Sequence, residues 1–121
     1  MAEQMTLGQL IVALAKYDPT ETVEFDFACF YPFGIASYRG FYDQLALGYD
    51  IKGGAPLVSD LLSLYRSAVG KVFEGYKGGE YLMTEDTLVW VSNIGESCST
   101  GVTGVLYLNG SVVIQTDAIG W

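Results

Sequence analysis

This chain of 121 residues carries six cations against fourteen acids, and two of the six fall where rings and glycines are densest. Arg39 stands in Tyr38-Arg39-Gly40-Phe41-Tyr42, preceded by Phe30-Tyr31-Pro32-Phe33-Gly34. Lys77 stands in Glu74-Gly75-Tyr76-Lys77-Gly78-Gly79-Glu80-Tyr81. A guanidinium or ammonium group beside exposed tyrosines pairs with phosphate or carboxylate while the rings stack a planar base. Glycine lets a ligand approach the backbone, whose free N–H groups can cradle phosphate. The candidate ligand-binding set is therefore Tyr38, Arg39, Tyr42, Tyr76, Lys77, Gly78 and Tyr81, with the tyrosines stacking and the two cations holding phosphate. Each segment also has a plainer reading. The first can be core rings with Arg39 paired to Asp26 or Asp43, and the second a hairpin connection with ordinary turn chemistry. The second is not a Walker A loop, because the Gly-Lys-Ser/Thr element is missing.

Equipment for turnover is hard to find. The chain has no histidine, which removes Ser-His-Asp and Cys-His catalysis and the common zinc enzymes. Glu85-Asp86, with Glu74 and Glu80 upstream, lack the spacing of a calcium loop and read as solvated charges. Ser97 and Ser99, in the Gly/Ser loop 94–101, lie outside any Gly-x-Ser-x-Gly elbow. Cys29 and Cys98 form no Cys-x-x-Cys pair and are expected as reduced thiols. The expectation is a binder: no catalytic residue, no metal site and no cofactor. An enzyme built on this chain would have to use carboxylates, Tyr or Lys as acid and base.

Half of the residues are hydrophobic and 14% aromatic, too apolar for disorder, and the length suits one domain, 1–121. No apolar run reaches the ~18 residues of a membrane span, and the first residues lack a signal-peptide pattern. No membrane contact and a cytoplasmic location are expected. A net charge of −8 opposes direct nucleic-acid binding. It suits either plain solubility or an acidic surface presented to a basic partner groove, for which Glu21, Glu24, Asp26, Glu74, Glu80, Glu85 and Asp86 are candidates.

The elements that must position these groups follow from periodicity. Thr6-Leu7-Gly8-Gln9 fits a capping box, and Leu7, Leu10, Ile11 and Leu14 make residues 7–16 an amphipathic helix ended by Asp18-Pro19. Val23-Glu24-Phe25-Asp26-Phe27 alternates as a strand with one wet face. From Ala28 to Gly40 the pattern breaks; residues 42–49 resume as a strand. Pro56 to Val69 is a second helix, with Gly70 as its left-handed terminator. Lys71 to Met83 is glycine-punctuated and irregular, and Thr87 to Val91 is a buried strand. Asn109-Gly110 marks a terminal hairpin between 101–108 and 111–117. The predicted fold is α+β: an antiparallel β-sheet with two helices packed on it and a C-terminal β-hairpin.

Taken together, Tyr38-Arg39-Gly40-x-Tyr42-x-x-Leu45-Ala46-Leu47-Gly48-Tyr49 and Phe73-Glu74-Gly75-Tyr76-Lys77-Gly78-Gly79-x-Tyr81-x-Met83 resemble segments of small phage-encoded accessory proteins. Those proteins also begin with a Thr-Leu-Gly-x-Leu-Ile helix and an x-Phe-x-Phe strand, so the resemblance spans most of residues 5–95. It implies a bacterial host cell and, by analogy, a role against bacterial defence. One form is a sponge, a homo-oligomer that binds a small anionic nucleotide-like signal (cyclic nucleotide or cyclic ADP-ribose type) without turnover. The alternative is an acidic protein-binding inhibitor of a nucleic-acid-binding defence complex. A virion-structural role stays open through the apolar terminal hairpin.

Overall fold

A computed structural model describes residues 3–27, 30–39, 41–50, 54–75, 77–92 and 99–119, with the side chain of Asp50 left aside. Helix α1 spans Leu7–Leu14 and is closed at its start by the expected capping box. Thr6 Oγ1 accepts the Gln9 N–H at 3.2 Å, and Gln9 Oε1 accepts the Thr6 N–H at 2.9 Å. Helix α2 spans Val58–Ala68. Its first turn is tied by the Leu57 N–H donating to the Asp60 carboxylate at 3.1 Å, and Gly70 follows it at φ +79°. Both apolar stripes point inward. Leu7, Leu10, Leu14, Val58 and Tyr65 are fully buried, each aliphatic chain contributing about 2 kcal/mol of transfer free energy.

Among the described residues there are also eight strands: β1 (Val23–Phe25), β2 (Tyr31–Ser37), β3 (Leu45–Asp50), β4 (Val72–Glu74), β5 (Glu80–Leu82), β6 (Val89–Val91), β7 (Thr100–Leu108) and β8 (Ser111–Ala118). Six of them form one sheet in the order β1-β8-β7-β6-β3-β2; β4 and β5 form a separate two-stranded sheet. The large sheet curls until its outer strands meet, with the Phe25 N–H donating to the Phe30 carbonyl at 3.2 Å.

The α+β class and the terminal hairpin hold, the latter turning on Asn109 and Gly110 at φ +52° and +81°, as a type I′ turn requires. An all-antiparallel sheet does not hold. β1 runs parallel to β8, and β3 runs parallel to β6. The physical reason is the crossover: β3 and β6 are joined through α2 and the small hairpin, and a strand that returns after a helix enters beside its predecessor in the same direction. Residues 31–37, where the pattern breaks, are strand β2 all the same. A bulge between Pro32 and Ile35, with Gly34 at φ +70°, shifts the register and hides the alternation.

One face of the sheet holds the main core: Val23, Phe25, Leu45, Leu47, Val89, Val91, Val102, Val112 and Ile114 meet the helices. The alternate residues Ala46 and Trp90 point the other way and join Tyr38 in a second, smaller cluster. The N-terminal segment wedges between β6 and β7, Met5 donating to Val102 at 2.7 Å and accepting from Val89 at 3.1 Å. Among the described residues no helix is long and apolar enough to cross a membrane.

Candidate functional site

The segment carrying Arg39 is the turn between β2 and β3. It is tied by the Tyr38 N–H donating to the Gln44 carbonyl at 2.7 Å and by Ser37 Oγ donating to the Tyr42 carbonyl. Tyr38 is not a free stacking face: it is 3% exposed and lies flat on Trp90, centroids 4.7 Å apart and planes 2° from parallel. Its hydroxyl accepts the Ser99 N–H at 3.1 Å, and Phe41 packs against both rings, 6.4 Å from Tyr38 and 5.8 Å from Trp90. The rings at this position are thus largely packing, the plainer of the two readings. Arg39 itself is exposed. Asp26, one of its two suggested partners, is occupied by the backbone and side chain of Thr116 at 2.8 and 2.6 Å.

Tyr42 leaves the turn in another direction and meets the second segment. Its ring lies 5.8 Å from that of Tyr81, and a Cβ on the buried Gly75 would come within 2.8 Å of Tyr81 and 3.4 Å of Tyr42. Only glycine allows that approach. The structure therefore brings Tyr42, Gly75, Gly78 and Tyr81 together, with Lys77 exposed at the tip of the same turn. Tyr38 belongs to the other cluster, while Tyr76, Gly40, Cys29, Cys98 and Ser97 lie outside the described residues.

Residues 71–83, expected to be irregular, are an ordered hairpin. Val72 pairs with Leu82, Phe73 with Tyr81 and Glu74 with Glu80. Gly78 and Gly79 close the turn at φ +91° and +85°, a conformation side chains rarely adopt. Alternation sorts the hairpin into two faces. Phe73 and Tyr81 pack on the main core, while Val72 (49% exposed), Leu82 (57%), Glu74 and Glu80 face outward. A shallow hollow of about 350 Å³ opens among Val72, Glu74, Gly79 and Glu80. A second, of about 310 Å³, lies among Asp43, Gln44, Leu82, Thr84 and Asp86. The result is a contiguous surface of four carboxylates around two bare aliphatic side chains.

The sequence offers Glu74, Glu80 and Asp86 to a basic partner but not Asp43, Val72 or Leu82 beside them, although a signal for the pairing that gathers the hairpin residues exists. Val-Phe-Glu-Gly at 72–75 and Gly-Glu-Tyr-Leu at 79–82 are near mirror images about Lys77, the arrangement a hairpin needs to place like residues opposite each other. The other proposed acids lie elsewhere. Glu24 is on β1, Asp26 is held by Thr116, and Glu21 faces the Tyr107 hydroxyl at 3.4 Å. That carboxylate and partial desolvation raise the Tyr107 phenol above its ordinary pKa, desolvation being the larger cause. A third hollow, larger than these two at about 660 Å³, runs beside α1 between Met5, Gly8, Val12 and Glu85. Neither Arg39 nor Lys77 lines any of these three hollows. Among the described residues no three His, Cys, Asp or Glu side chains gather to hold a metal ion.

What fold and surface define is a class: an α+β domain that presents an acidic, partly apolar β-hairpin. Comparison with protein-family models, curated proteins and solved structures found no match to this chain.

Proposed function

We propose that this chain is a non-catalytic binding protein that docks onto a basic surface of a protein partner through the outward face of the β4–β5 hairpin. One observation carries the reading: Glu74 and Glu80 stand directly opposite each other, flanked by the exposed pair Val72 and Leu82. Like charges directly across a β-ladder are destabilising, and Val72 and Leu82, about half exposed, leave apolar surface open to water. A partner that supplies cations and apolar cover offsets both. Nucleic-acid-binding proteins carry basic grooves of that kind, so occupying such a groove and inhibiting its owner is the activity that fits. The motif resemblance supplies the biological setting: a phage protein acting on a bacterial defence complex in the host cytoplasm.

A second reading is favoured by a different observation. Tyr42 and Tyr81 pack together, so the two cation-bearing segments share one surface on which a small nucleotide-like anion could be sequestered, completed by a second copy of the chain. Buried Tyr38 and the carboxylates of Asp43, Glu74 and Glu80 on the same hairpin region weigh against an anion there.

Immobilised protein and a Glu74→Lys/Glu80→Lys variant, exposed to bacterial extract at low and high salt, separate these readings. The expected result is a protein retained at low salt, released by salt and absent from the variant. Equal retention by both forms, or a nucleotide released on denaturing the wild type but not Arg39→Ala, would overturn the docking reading in favour of the second.

A further inference from the structure

We propose that β5 is the docking edge, and that it accepts an extended partner segment in which a Lys or Arg and an apolar residue stand two positions apart on one strand face, added to the hairpin as a third strand. This rests on the protein-binding reading above and names the mode by which it works. The backbone bonds set the geometry. Gly75 donates to Gly79 at 3.0 Å and Met83 donates to Lys71 at 3.0 Å, so residues 71, 73 and 75 turn their backbone groups inward to 83, 81 and 79. The intervening residues Glu80 and Leu82 turn theirs outward, and no other backbone hydrogen bond reaches them among the described residues. The unpaired groups of β5 therefore belong to the same residues whose side chains form the acidic and apolar face.

The choice of β5 over β4 follows from their surroundings. β4 lies beside β2 of the large sheet, whereas β5 borders the hollow among Asp43, Leu82, Thr84 and Asp86. A strand laid along β5 would set a cation opposite Glu80 with Glu74 one strand further on, and an apolar side chain opposite Leu82. A further cation would fall near Asp43 and Asp86. Main-chain bonds supply affinity in such an addition, and the alternate side chains supply selectivity. Short charged edges also serve to block unwanted strand pairing. That explains glutamates here but not the apolar surface that the Val72–Leu82 pair, about half exposed, leaves open to water.

The test uses a labelled decapeptide in which lysine and valine take turns at every second position with threonine between them, a twin methylated at every backbone nitrogen, and a twin with glutamate in place of lysine. Binding is read by fluorescence anisotropy against the whole chain. The lysine peptide is expected to bind, with affinity reduced about tenfold by Glu74→Gln/Glu80→Gln, two exposed changes that leave the packing intact. The methylated and glutamate twins are expected to bind at least about tenfold more weakly. Equal binding of the methylated twin would overturn strand addition while leaving the docking face in place. No binding of the lysine peptide, with an extract protein still retained by the wild type, would also overturn this inference and spare the docking reading. Loss of that retention would end both.

Discussion

Replacing Glu80 by Lys turns the one directly opposed carboxylate pair of the hairpin into an ion pair. Side chains opposite each other in an antiparallel ladder lie about 5 Å apart. Two like charges at that distance in water repel by about 0.8 kcal/mol, and physiological salt roughly halves this. Glu74 and Glu80 are both exposed, so the water value applies. Exchanging repulsion for attraction then stabilises Glu80→Lys by about 0.8 kcal/mol, which for a domain of this size raises Tm by about 3 °C. Most substitutions destabilise, so the sign alone is informative. Urea and thermal unfolding are the assays, with Glu3→Lys as a control that changes the net charge equally at an exposed acid outside the hairpin. The difference should shrink towards zero near 1 M salt, where the screening length is about 3 Å. A Glu80→Lys protein no more stable than Glu3→Lys, or an advantage insensitive to salt, would refute the reasoning. Either result would mean that the pair is not a tension held in the free protein.

Three other substitutions probe the frame that holds the hairpin. Tyr65 is fully buried, and its hydroxyl has no hydrogen-bond partner among the described residues, so Tyr65→Phe should stabilise by about 1 kcal/mol in chemical unfolding. Burial pushes the Tyr65 phenol far above its ordinary pKa of 10.0. The folded state thus favours the protonated form, and that contribution is complete below pH about 10 and lost as pH rises above it; stability against pH should fall more steeply in the wild type than in Tyr65→Phe. A Cβ at Gly48 would collide with the Phe33 carbonyl oxygen at the β2 bulge, so Gly48→Ala should cost about 2 kcal/mol or more, measured by urea unfolding. Thr6→Ala removes one half of the α1 capping box and should cost about 1 kcal/mol by the same measurement.

Much of the frame was legible because local rules decide it. The capping box, the helical stripes of Leu7 to Leu14 and of Val58 to Tyr65, Gly70 as terminator and the Asn109-Gly110 turn each depend on residues within a few positions of one another. Helix ends shifted by up to two residues, as frayed termini do. What was not legible is non-local. Alternation identifies a strand but not its neighbour, so the parallel pairs β1/β8 and β3/β6 could not be read from it. Strand β2 was hidden by its bulge, which breaks the period of two that reveals strands. At the site, Tyr38 and Tyr42 are four residues apart yet enter different clusters, because the turn between β2 and β3 sends one ring to Trp90 and the other to Tyr81. Composition singled out cations and rings. Cross-strand pairing instead makes Glu74, Glu80, Val72 and Leu82 the exposed surface.

Hydrogen exchange with peptide-level readout tests the docking face most directly, comparing the chain alone with the chain bound to the protein it retains from bacterial extract. The expected result is slowed exchange concentrated in residues 72–82, strongest at Glu80 and Leu82, with the groove beside α1 unchanged. Unaltered exchange across 72–82 together with protection elsewhere, along α1 or around Arg39, would contradict the assignment of the hairpin as the binding surface.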